Sequence, residues 1–239
     1  MKTSEARELT VGEMVVEEPR RARVFEHFGI DYCCGGKIPL AEACATRGTD
    51  LDAVLNALRE SETAASPETE KDWSRESMTS LVDHIVATHH AYLREEFPRL
   101  TKMTEKVVQV HGERHSELAE VRDVFAALRA ELDIHMQKEE TVLFPMIKLL
   151  DSGVTGAASH CGTIAAPIRM MEHEHDSAGD ALGRLRRLTD DFAIPADACN
   201  TYRVMLDGLA TLEADLHQHI HKENNILFPK ALAAESHAV

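Results

Sequence analysis

Apolar positions between residues 74 and 233 recur at intervals of three, four and seven. That spacing puts them on one face of a helix turning about 100° per residue. Four such runs predict long helices at about 74–110, 113–150, 164–190 and 198–233. Their richness in Ala, Leu, Glu, Arg and Met favours helix over strand. Pro98 falls inside the first run and predicts a kink, because proline removes a backbone donor and crowds the preceding turn. DSGVTGAASHCGT at 151–163 and DFAIPADACN at 191–200 read as turns. SETAASPETEK at 61–71, polar with a central Pro67, reads as a linker. The expected fold class is all-α: a small helical N-terminal domain, residues 1–66, ahead of an antiparallel four-helix bundle, residues 72–235.

Histidine interrupts each of the four stripes. In the first, His90 lies in line with Val82, Val86, Leu93 and Phe97, while His89 falls on a boundary face and His84 on a more polar side. The second stripe runs Val124, Leu128, Leu132, His135, Glu139, Val142, Met146. The third runs Ile164, Ile168, Met171, His175, Ala178, Leu182, Leu185, leaving His173 solvated. The fourth runs Leu209, Leu212, Leu216, His219, Glu223, Leu227, with His217 and His221 placed outward. Glu139 and Glu223 each follow a stripe histidine by four residues, about 40° round the axis and one turn along. Residues 135–145, HMQKEETVLFP, and 219–229, HIHKENNILFP, share the pattern H-x-x-K-E-x-x-x-L-F-P, which points to duplication of a helix pair or to convergence on one ligand pattern.

A buried carboxylate is costly unless it is paired or ligating, so two of them beside four buried imidazoles need a common explanation. A pair of metal ions supplies one; a metal-free His–Glu hydrogen-bond network is the other. The set His90, His135, Glu139, His175, His219 and Glu223 is too nitrogen-rich for calcium or magnesium, and one tetrahedral zinc would leave donors unused. Two ions bridged by the carboxylates, each with two histidines, use every donor and leave room for an oxo or hydroxo bridge and an exogenous ligand. Iron suits such a set, with manganese or a mixed pair as alternatives. His111 also sits in an apolar stripe, but it lies 21 residues beyond His90. On a continuous helix that is about 31 Å, so only a break near Pro98 would bring it to the same site.

Composition narrows the function classes. With 26 Lys plus Arg against 41 Asp plus Glu, the net charge is −15. A surface that acidic disfavours nucleic acid and anionic lipid as partners. No apolar run reaches the roughly 20 residues of a membrane span, and the opening MKTSEARELTVGEM lacks a secretory core, so the expected location is cytoplasmic. Five cysteines with no CxxC pair fit neither a disulfide framework nor a zinc ribbon. Cys33 and Cys34, followed by Gly35 and Gly36, read either as thiols for redox, iron or nitric oxide transfer or as small buried residues at a turn. Cys44, Cys161 and Cys199 have no such context and read as inert.

Taken together, IDYCCGG at 30–36 with HHAYLREEFP, HMQKEETVLFP, MMEHEHD and HIHKENNILFP resembles the RIC (repair of iron centres) family of di-iron proteins over nearly the whole chain. The resemblance implies a hemerythrin-like bundle holding two non-haem, carboxylate-bridged irons on His90, His135, Glu139, His175, His219 and Glu223. It implies repair of iron–sulfur clusters after nitrosative or oxidative stress, by iron donation or nitric oxide handling, with damaged iron–sulfur proteins as clients. A nitric oxide reductase and a carrier or sensor of dioxygen or nitric oxide are the competing readings, and the expected assembly is a monomer or homodimer. Glu174, beside His175, is a candidate to orient a ligand or relay a proton, or a solvated edge residue.

Overall fold

The structure, a computed structural model, describes residues 9–63, 71–153 and 163–237. Cys161, most of the 151–163 turn and most of the 61–71 linker lie outside those residues. Four short helices come first: α1 (Val11–Glu17), α2 (Arg21–Phe28), α3 (Leu40–Arg47) and α4 (Leu51–Thr63). Thr10 starts α1 with a capping box, its hydroxyl accepting from the Glu13 amide while its own amide donates to the Glu13 carboxylate. Gly29 and Gly48 end α2 and α3 in the left-handed conformation that a residue without Cβ adopts freely.

Four longer rods follow. The first is α5 (Met78–Ile85), a π turn at Val86–His90 and α6 (Ala91–His111). The second is α7 (Glu117–Lys138), a π turn at Glu139–Leu143 and α8 (Phe144–Asp151). The third is α9 (Ala165–Leu188), and the fourth is α10 (Asn200–Lys222), a π turn at Glu223–Leu227 and α11 (Phe228–His237). The second rod packs on the first and third, and the fourth on the first. The described residues contain no strand, so the all-α bundle expected from periodicity is what forms.

The π turns were not legible as such, and they shift the phase of the stripes. Each widens the ring of one hydrogen bond: the Phe144 amide donates to Glu139 and the Phe228 amide to Glu223, five residues back rather than four. Pro145 and Pro229 sit one residue further on, where a regular helix would need a donor that proline lacks. The extra residue brings Leu143 and Ile147 inward, whereas periodicity pointed to Val142 and Met146; Val142 is 51% exposed. At Pro98 the helix runs on, and the departure from α geometry lies earlier, at 86–90.

Two apolar cores line the bundle. One is built on Leu93, Phe97, Phe125, Leu132, Leu182 and Leu216, the other on Leu81, Ile85, Leu143, Phe144, Leu227 and Phe228. A third core gathers Met14, Phe25, Leu40 and Leu58 from the N-terminal helices with Tyr32 from the bend between α2 and α3, and takes in Ile220 of α10. The N-terminal unit is thereby seated on the fourth rod. Asn225 donates to the carbonyls of Tyr32 and Cys33, and the Gly12 amide donates to the Gly36 carbonyl at 2.8 Å. A Cβ at Gly36 would meet the Tyr32 carbonyl oxygen at 2.4 Å. This glycine therefore serves close backbone approach rather than flexibility. Gly36→Ala is expected to cost about 1–3 kcal/mol, the range for forced overpacking. Thermal unfolding reads the loss, and an unchanged midpoint would contradict the packing described.

Candidate metal centre

The six stripe residues meet between the two bundle cores. His90, His175, His219, Glu139 and Glu223 are at most 1% exposed and His135 is 2% exposed. They form two interlocking quartets: His90, Glu139, His219 and Glu223, and His135, Glu139, His175 and Glu223. Within each quartet one donor atom per residue lies within 4.8 Å of every other. Both carboxylates belong to both quartets. Glu139 Oε1 lies 3.3 Å from His135 Nε2 and its Oε2 lies 3.3 Å from His90 Nε2. Glu223 Oε1 lies 3.2 Å from His219 Nε2 and its Oε2 lies 3.1 Å from His175 Nε2. Glu139 and Glu223 keep the α phase that sets them one turn beyond His135 and His219, their amides donating to those residues' carbonyls, and each then opens a π turn.

Much of this contact is not hydrogen bonding. Both Glu139 oxygens, Glu223 Oε2 and His90 Nε2 are buried without a hydrogen-bond partner. His135 and His175 bring their Nε2 atoms to 3.1 Å. Lone pairs aimed at shared points in a dry interior cost free energy unless a cation or proton lies between them. The residues therefore fit two divalent ions of mixed nitrogen–oxygen preference. Protons fill part of that role otherwise. Burial pushes His135 down, but the Glu139 and Glu223 carboxylates outweigh it and raise it to about 9. Burial also opposes the charge on Glu223, yet His219 and His175 hold it well below the usual carboxylate range.

Outside the quartets, each of three imidazoles donates through Nδ1 to an oxygen: His90 to Glu140 at 2.7 Å, His135 to Glu174 at 2.9 Å and His175 to Asn224 at 2.8 Å. Such bonds fix the ring and leave Nε2 as the free donor atom. Glu174 thus serves His135, across the bundle, and not its neighbour His175; Lys138 also pairs with it. Phe144 and Phe228 of the repeated L-F-P stack on His90 and His175 at ring separations of 5.7 and 6.0 Å. A cavity of about 310 Å³ opens beside His135, Lys138 and Glu174.

Several residues depart from the helical-wheel reading. His89 is buried, donates to Asp215 at 2.8 Å and stacks on His219 at 5.3 Å, because the π turn at 86–90 carries both neighbouring histidines inward. His221, placed outward by phase, is buried against Tyr32, which also touches half-buried His217; the N-terminal unit covers that face. Glu213, on the same face, is buried and paired with Arg186. His111 lies at the other end of continuous α6, buried beside Tyr202 and His115, and joins neither quartet.

Cys33 is buried in the N-terminal core and Cys34 is half-buried against α9, where its Sγ donates to the His175 carbonyl at 3.4 Å. The Cys34 side chain, burial and Asp31 push the Cys33 thiol well above the usual range, so it is not a ready nucleophile. Cys44 is buried and Cys199 exposed.

Four helical rods delivering four imidazoles and two carboxylates to one buried point define a hemerythrin-type bundle. Residues 81–231 match the family model described as the Hemerythrin HHE cation binding domain, and residues 7–62 match one described as a Domain of Unknown function (DUF542). The iron–sulfur cluster repair protein YtfE of Dickeya chrysanthemi is 38% identical over 229 residues, 96% of this chain and 99% of that relative. The YtfE proteins of Musicola paradisiaca and an Enterobacter species are 40% and 39% identical, with the same coverage. The chain belongs to the family these proteins form, which bears out the resemblance carried by IDYCCGG and the repeated L-F-P motif.

Proposed function

We propose that this chain is a di-iron protein that repairs iron–sulfur clusters damaged by nitrosative or oxidative stress. The observation that carries the reading is the sharing of Glu139 and Glu223 by both histidine pairs. His90 and His219 would hold one iron, His135 and His175 the other, with the two carboxylates spanning the pair. When bound, two ferrous ions supply exchangeable iron, reducing equivalents and open coordination positions. Glu140, Glu174 and Asn224 keep three imidazoles in the tautomer that ligates through Nε2. The Phe144 and Phe228 rings and the two apolar cores exclude bulk water. Because imidazole ligation competes with protonation, iron held this way can be given up to a client.

The cavity beside His135 reaches one residue of the centre, and iron donation and nitric oxide handling are both compatible with the site. No helix among the described residues is long and apolar enough to cross a membrane.

Reduced, iron-loaded protein is expected to restore activity to a cluster enzyme inactivated by nitric oxide. Recovery no greater than that given by the same amount of free ferrous iron would reject repair. Nitrous oxide production under single and multiple turnover would instead assign nitric oxide reduction. Glu174→Ala is expected to weaken iron binding about 10–100-fold, the usual cost of removing an outer partner of a metal-bound histidine. An equilibrium competition with a chelator measures it; unchanged affinity would show that the His135–Glu174 bond has no such role.

A further inference from the structure

A second group of metal-binding side chains lies outside the quartets, in the N-terminal unit. The carboxylate of Asp31 and the thiols of Cys33 and Cys34 bring one donor atom each within 4.8 Å of the others. The two sulfurs stand 3.8 Å apart. Two thiolates held at about 2.3 Å by one tetrahedral ion would be separated by about 3.8 Å. Asp31 Oδ1 lies 3.2 Å from Cys33 Sγ. The carboxylate is not free to swing away, because it accepts from the backbone amides of Cys33, Cys34 and Gly35 at 2.9, 3.0 and 2.9 Å. Backbone amides therefore fix the carboxylate, where in a chance surface cluster it would depend on its rotamer alone.

The setting favours a cation that comes and goes. Asp31 is exposed and Cys34 half-buried, and both line a cavity of about 610 Å³ between the N-terminal unit and the bundle. Its walls also carry Glu26, Asp176, Asp180 and Glu213 against Arg47 and Arg186, a balance of charge that stays negative. Gly179 leaves space on α9 beneath Cys34; a Cβ there would already stand 3.5 Å from the sulfur. Three protein donors leave a position open for water or for a ligand from another molecule. The group also touches the quartets. Cys34 meets the His175 carbonyl, and Asn224, which accepts from the His175 ring, donates to the Cys33 carbonyl at 3.4 Å.

We propose that Asp31, Cys33 and Cys34 form a third metal site, mononuclear and exchangeable, for a thiophilic divalent cation. Each thiol releases its proton to solvent as its sulfur binds, so one cation displaces two protons, and no oxidant or reductant is needed. The inference rests on the repair reading only for the identity of the cation in the cell, ferrous iron in transit between the buried pair and a client.

Cobalt(II) tests binding without reference to repair. The full-length protein, reduced, anaerobic and with its histidine–glutamate centre already loaded with iron, is titrated with cobalt(II). A thiolate-to-cobalt charge-transfer band is expected to saturate at one equivalent per chain, since the quartets contain no sulfur. The band should vanish in the Cys33→Ser/Cys34→Ser double variant and persist in Cys44→Ser and Cys199→Ser. Asp31→Asn, which keeps an acceptor oxygen for the Cys33 and Cys34 amides and gives up the one that serves Gly35, should weaken cobalt binding at least tenfold. Circular dichroism and retained iron confirm that each variant is folded. No band in the wild type, a band removed only by Cys199→Ser, or unchanged affinity in Asp31→Asn would overturn the site.

Discussion

Glu223→Ala is expected to cost the protein most of its bound iron, with stoichiometry falling from two ions per chain to one or none. Its two oxygens face imidazoles of different quartets, so one truncation would remove a ligand from both ions of the proposed pair. Losing an outer partner of a ligand costs about 10–100-fold in affinity, and losing a shared ligand should cost more. The effect reaches stability, because a ligand that binds only the folded state stabilises it by mass action. A hundredfold loss of affinity removes about 2.7 kcal/mol of that stabilisation when iron is in excess. The rise in melting temperature on adding iron should therefore shrink sharply in Glu223→Ala. Glu120→Ala, at an exposed carboxylate paired with Arg184 on the bundle surface, should leave it unchanged. Iron analysis after gel filtration, with calorimetry on the same samples, checks both parts. Wild-type stoichiometry in Glu223→Ala would remove that carboxylate from the ligand set.

The second large effect is an opposite pH dependence of the metal-free and metal-loaded protein. In the metal-free protein the imidazole of His135 is raised to about 9, against burial, by Glu139 and Glu223. A raised folded-state pKa gives stability that is full below the unfolded value, about 6.5, and is lost as pH rises through about 9. A difference of that size corresponds to roughly 3 kcal/mol. Glu223 and Glu139 are lowered, with burial opposed by the facing histidines, so their contribution is present above the ordinary glutamate pKa and lost as pH falls through the lowered value. The metal-free protein should therefore be most stable in mildly acidic to neutral solution and weaken toward pH 9. Iron uptake must displace the His135 proton, so affinity should rise over that same interval while the metal-free form loses stability. Denaturant titrations at a series of pH values, with and without metal, measure the divergence. Parallel profiles would mean that the metal does not compete with these protons.

What could be read from the sequence was what a helix repeats. His90, His135, His175 and His219 stand out because each interrupts an apolar stripe at helical phase, and Glu139 and Glu223 because they repeat that phase one turn later. The structure brings these six together, and the repeated L-F-P proves to supply the walls, Phe144 and Phe228, against which two of the rings stack. Periodicity fails where the helix is not an α-helix. The π turn after Lys138 adds one residue to the count, which is why Val142 points outward and Leu143 inward. It fails again where another part of the chain covers a face. His221 lies on the side of α10 away from the bundle core, and only the seating of Tyr32 and Ile220 in the N-terminal core shows that side to be buried in part. Glu174 shows a further limit. Chain position links it to His175, whereas its partner is His135 on another rod, a relation that depends on how two helices meet.

The most direct test of the account is Mössbauer spectroscopy combined with iron analysis on wild-type protein loaded with ⁵⁷Fe under reducing conditions and then oxidised. Two irons per chain are expected, both high-spin in nitrogen–oxygen coordination and magnetically coupled through their shared ligands. A single uncoupled iron, or an iron-replete sample whose iron elutes away from the protein, would contradict it.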